Sequence, residues 1–104
     1  GKLDLNEHLI KNKTQTFFVR VSGESMTDAG IFPGDLLIVD RAIEPVTGNI
    51  IIAVLNGELT VKRLYTHKET VILCAENENY GDIKITEYDD FSTWGVVTNV
   101  IHLL

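Results

Sequence analysis

Ser25 and Lys62 are the two side chains in this sequence best suited to chemistry together. Ser25 stands in Val21-Ser22-Gly23-Glu24-Ser25-Met26-Thr27-Asp28, directly after an apolar alternating run, Phe17 to Val21. A serine placed where a strand stops and the backbone turns can lift its hydroxyl out of a sheet. Nearby backbone N–H groups can then be aimed at one point. The hydroxyl is a weak nucleophile until a base takes its proton. A base is available in Thr60-Val61-Lys62-Arg63-Leu64, and lysine partners serine in dyad-type hydrolases. Such a lysine must be neutral, against an ordinary pKa of about 10.4, and burial lowers that value. On a strand, Thr60, Lys62 and Leu64 share one face, while Leu59, Val61 and Arg63 share the other. Each residue also has a plainer reading. Ser25 with Asp28 three positions on forms a helix N-cap, and Lys62 is an exposed strand lysine.

Three motifs, taken in order, favour the chemical reading. Gly23-Glu24-Ser25-Met26, Gly34-Asp35-Leu36-Leu37-Ile38-Val39-Asp40 and Thr60-Val61-Lys62-Arg63-Leu64 resemble the self-cleaving Ser-Lys peptidases of the LexA/UmuD type. The resemblance runs from about Leu3 to the C-terminus. Within that family the chain is most similar to the UmuD-like members in their processed, UmuD′-like form. The resemblance implies a serine peptidase with Ser25 as nucleophile and Lys62 as general base. Backbone N–H groups of Glu24 and Ser25 are the expected oxyanion donors. It also implies a homodimer, a RecA nucleoprotein filament that assists cleavage of an N-terminal arm, and a UmuC-like Y-family DNA polymerase. The setting would be error-prone translesion synthesis in the SOS response. No Cys-Gly or Ala-Gly bond of the family precedes Ser25, so the expectation is the processed form or a trimmed domain, without the bond at which the family is cut.

Two other readings compete. A LexA- or phage-type repressor would use this segment as its C-terminal self-cleavage and dimerisation domain, below a helix-turn-helix. The ending Trp94-Gly95-Val96-Val97 looks more like the UmuD relatives. A signal-peptidase relative would share the Ser-Met motif but needs a membrane span. The longest apolar run here is Ile50 to Leu55, far short of the roughly 20 residues a span requires.

The net charge of −6 argues against strong direct DNA binding, which needs a basic face. The acidic stretch from Glu76 to Asp90 reads as a solvated loop face. A single cysteine, Cys74, excludes an internal disulfide and fits a reducing, cytoplasmic setting. It sits in the apolar run Val71 to Ala75 and reads as a buried structural thiol. His8, His67 and His102 fall on different elements, each at a surface or an edge. No spacing suggests a metal site, and no cofactor is expected.

The elements that must position the pair are short strands. Residues 1–15 read as an N-terminal arm, with a short helix over Leu5–Ile10 behind the capping box Asp4 to Glu7. Residues 16–104 read as one β domain. Thr16–Val21 and Leu36–Val39 are strands separated by a turn at Phe32-Pro33-Gly34-Asp35, with proline and glycine placed for type II. Asn56-Gly57 predicts a hairpin between Asn49–Leu55 and Glu58–Leu64. Tyr65–Glu69 reads as a second turn, followed by strands over Thr70–Ala75 and Ile83–Ile85. Phe91–Leu104 reads as the last strands. The fold expected is all-β, a rolled sheet or partly open barrel.

Overall fold

Local turn chemistry sets the strand pairing. The computed structural model describes residues 15–104; the expected helix over Leu5–Ile10 lies outside them. Seven strands follow one another: β1 (Thr16–Arg20), β2 (Leu36–Asp40), β3 (Ile50–Leu55), β4 (Glu58–His67), β5 (Thr70–Cys74), β6 (Ile83–Lys84) and β7 (Phe91–Ile101). They form one antiparallel sheet in the order β1-β2-β7-β3-β4-β5-β6. Asn56 and Gly57 take φ of 51° and 85°, as a type I′ turn requires. That turn sets Ile51 opposite Lys62 and Ala53 opposite Thr60.

Two expectations are corrected. Tyr65 to Glu69 is not a turn, because β4 runs on to His67 and the chain reverses at Lys68-Glu69. Ser25 is not an N-cap. The 3-10 turn covers Thr27–Ala29, Met26 occupies its cap position, and no side chain caps it. The N–H groups of Thr27 and Asp28, which a cap would satisfy, are taken by the Glu24 and Glu76 carbonyls instead.

Side chains alternate between two apolar clusters, so the neighbours Ile51 and Ile52 enter different ones. The first cluster gathers Val21, Met26, Ile31, Leu37, Val39 and Ile52. The second gathers Ile51, Ala53, Leu64, Leu73 and Val96. Met26 is 1% exposed. Burying such a side chain contributes about 1.5–3 kcal/mol, and here it anchors the residue directly after Ser25.

The long strand β7 changes partner midway. Its first half pairs with β3 and its second half with β2, with Val96 bridging both. Between Ile52 and Ala53 the register shifts, leaving Trp94 as the extra residue of a bulge. Gly95 then lies so close to β2 that an added Cβ would stand 2.5 Å from Val39 Cγ1. Val39 is fully buried and cannot move aside cheaply. Gly95→Ala should therefore lower stability by about 1–3 kcal/mol through overpacking. The check is a lower urea midpoint at unchanged slope. An unchanged midpoint would contradict the close contact.

Candidate active site

The Ser25 loop leaves the end of β1 and is tied down at the carbonyls of Val21, Glu24, Ser25 and Met26. Val21 N–H donates to the Asp35 carbonyl at 2.9 Å, and Gly34 N–H donates to the Val21 carbonyl at 2.9 Å. The Glu24 carbonyl accepts from Asn77 Nδ2 at 2.7 Å. The Ser25 carbonyl accepts from Glu76 N–H at 2.8 Å, and Asp28 N–H donates to the Glu76 carbonyl at 2.7 Å. The Met26 carbonyl accepts from Ala29 and Ile31 N–H. The N–H groups of Glu24 and Ser25, the expected oxyanion donors, find no acceptor among the described residues.

Strand β4 brings the second group. Lys62 Nζ lies 3.1 Å from Ser25 Oγ, 2.6 Å from Thr60 Oγ1 and 3.1 Å from the Val61 carbonyl oxygen. Lys62 is only 7% exposed. No carboxylate of the described residues pairs with it. Burial therefore holds its ammonium below the usual lysine range, because a desolvated cation without a counter-ion is costly. The hydrogen-bond geometry suits the neutral form. A neutral amine has two N–H donors and one lone pair. The Val61 carbonyl can only accept and takes one donor; Thr60 Oγ1 can take the other. The lone pair is then left for the Ser25 O–H, which is the contact a general base needs.

A cavity of about 400 Å³ opens beside the pair. Glu24, Ser25 and Lys62 line it together with Val19, Leu59 and Tyr80. An extended chain with apolar side chains fits such a lining, and a carbonyl laid against Ser25 would meet the unbonded N–H groups.

Several residues behave differently from their sequence reading. Cys74 is half-buried rather than buried. Burial first, then the Asp82 and Glu76 carboxylates, push its thiol up, so it stays protonated and inert. His67 is exposed, and His8 lies outside the described residues. His102 Nδ1 sits 2.8 Å from Oδ2 of the buried Asp35, joining the end of β7 to the turn before β2. The Phe32 N–H donates to the same carboxylate at 2.8 Å and, with His102, holds it below the usual carboxylate range. The acidic stretch from Glu76 is more than a solvated face. Glu76 pairs with Arg63, and its backbone brackets the Ser25 loop. Thr60 could have been found from its position two residues before Lys62. Asn77 carried no sequence signal, because its contact with Glu24 exists only in the folded chain. Among the described residues no three metal-ligating side chains gather, and no helix is long and apolar enough to cross a membrane.

Known proteins share this arrangement of sequence. The Peptidase S24-like family model matches residues 1–98. Protein ImpA of Escherichia coli is 43% identical over 101 residues, covering 97% of this chain and 68% of ImpA. Protein SamA of Salmonella typhimurium is 44% identical over 101 residues, covering 97% and 69%. The LexA repressor of Psychromonas ingrahamii is 44% identical over 86 residues, covering 82% of this chain and 41% of the repressor. The chain therefore belongs to the Peptidase S24-like family, the LexA/UmuD-type group, with UmuD-like proteins among its relatives.

Proposed function

We propose that this chain is the peptidase-type part of a UmuD-like protein of SOS mutagenesis, with Ser25 as nucleophile and Lys62 as general base. The observation that carries the reading is a buried lysine amine, without a counter-ion among the described residues, 3.1 Å from a serine hydroxyl. Lys62 takes the hydroxyl proton as Ser25 Oγ attacks a peptide carbonyl. The oxyanion forms against the N–H groups of Glu24 and Ser25, a contribution of a few kcal/mol per donor. The C–N bond then breaks and the amine leaves with the proton from Lys62; water, giving a proton to Lys62, attacks the acyl ester, and Ser25 Oγ leaves with that proton. The substrate is an N-terminal arm of the same kind of chain, cut with help from a RecA filament. The shortened protein then joins a UmuC-like polymerase in the cytoplasm. A second reading, the C-terminal domain of a repressor, is favoured by the LexA match alone; a helix-turn-helix encoded upstream would decide for it.

The experiment mixes this chain with a longer version that carries the upstream arm and Ser25→Ala. The partner has a substrate and no nucleophile, so its shortening on a gel reports the dyad acting between molecules. No cutting by a folded chain, with or without RecA filament, would sink the peptidase reading.

Assembly follows from β7. Beyond Val97 its β3 side carries no strand among the described residues, and an open strand edge invites pairing. A symmetric homodimer through residues 98–101 is proposed. Sedimentation should give the dimer mass at micromolar concentration, and Val100→Pro should give the monomer, since Val100 lies opposite Leu37, whose N–H is turned to β1, and its own N–H faces the open edge. A wild-type monomer would count against it.

A further inference from the structure

Asn77 lies outside both motifs, yet its side chain reaches the nucleophile loop. Nδ2 donates to the Glu24 carbonyl at 2.7 Å and to Thr27 Oγ1 at 3.3 Å, while Oδ1 accepts from Asn79 N–H at 2.9 Å. The Glu24 carbonyl and the Ser25 N–H belong to one peptide group. That group is planar and trans, so its N–H points opposite to its carbonyl. A donor that holds the carbonyl from one side therefore fixes the direction of the N–H on the other. The next peptide is held the same way: Glu76 N–H grips the Ser25 carbonyl at 2.8 Å, which sets the direction of the Met26 N–H.

We infer that Asn77 is a positioning residue for the oxyanion site, acting through the Glu24–Ser25 peptide plane rather than on the reacting atoms. The inference rests on the proposed Ser25–Lys62 reading. It adds that the loop after β5 sets how well developing negative charge is met. Arg63 strengthens the link, because it follows Lys62 on β4 and pairs with Glu76, the residue beside Asn77. The base strand and the nucleophile loop are thus joined through residues 76 and 77. Preorganisation matters here because a donor helps only when already aimed at the charge.

A fluorophosphonate tests this without any knowledge of the natural substrate. Ser25 Oγ bonds to phosphorus, the P–F bond breaks, fluoride leaves, and the hydroxyl proton passes to Lys62. The phosphoryl oxygen takes the place of the oxyanion. Phosphonylation rates are measured by mass for the wild-type chain, Asn77→Ala and Asn77→Asp across a pH series. Asn77→Asp keeps the side-chain volume and the bond to Asn79, and it carries the test if Asn77→Ala does not fold. Both variants should react about tenfold to hundredfold more slowly, less than the loss of a whole donor. In Asn77→Ala, which adds no charge, the pH midpoint should not move, since Lys62 and its contacts are untouched; for Asn77→Asp the rate on the plateau is compared, because its new carboxylate acts on Lys62 through space. Wild-type rates in the variants would overturn the inference while leaving the dyad standing. A slower rate with a displaced midpoint in Asn77→Ala would also overturn it, by placing the effect on the Ser25–Lys62 contact, and so would a wild-type plateau rate in Asn77→Asp. A folded wild-type chain that does not react would remove the dyad reading, and the inference with it.

Discussion

Replacing Ser25 by alanine ends cleavage of an arm-bearing chain, and so does replacing Lys62 by alanine. Each loss should be on the order of 10⁴-fold or more. The double variant should be no worse than either single one, because members of one catalytic unit are far from additive. The fold should survive. Ser25 caps no helix, so Ser25→Ala does not incur the roughly 1 kcal/mol that losing a cap costs. Lys62→Ala removes a buried amine that has no counter-ion among the described residues, and it leaves the Thr60 and Ser25 hydroxyls beside a cavity. Melting temperatures near the wild type, together with absent cleavage, are the expected pair of results. Cleavage at a normal rate in either single variant contradicts the assignment.

The second large effect is on pH. Burial lowers the Lys62 pKa, and the working form is the neutral amine. Below that pKa the neutral fraction grows tenfold for each pH unit, so the rate should do the same. Above it the rate should level off, and the plateau should begin below the roughly 10.4 of an ordinary lysine. The sign follows from the base role: acid protonates Lys62 and stops the reaction, while alkali does not. A rate that falls from pH 7 to 9 in a chain that stays folded would rule out a lysine base.

The hairpin was legible because Asn56-Gly57 can adopt few other turns, and its register alone places Lys62 opposite Ile51. The two site residues were legible through their motifs, and the structure brings them to 3.1 Å. The parts that escaped are those decided by packing at long range. Ser25 and Asp28 match a capping box locally, but the Ser25 hydroxyl is turned to Lys62 and its carbonyl to Glu76. Tyr65 to His67 carries mixed polarity that reads as a turn. It stays extended because β5 pairs with it residue by residue. Cys74 sits in an apolar run, yet strand ends are open, and β6 beside it is only two residues long. The bulge at Trp94 and the contact of Gly95 with Val39 depend on which strand lies alongside, and a single strand's pattern does not encode its neighbour.

The central claim is that Lys62 is the neutral base for Ser25, and its titration tests this most directly. Lysine side chains labelled at Cε can be followed by NMR through a pH series, with the Lys62 signal identified by its loss in Lys62→Ala. The account predicts that Lys62 titrates below the roughly 10.4 of an ordinary lysine, at the same pH where the cleavage rate reaches its plateau. A Lys62 signal that titrates at or above the roughly 10.4 of an ordinary lysine would contradict it.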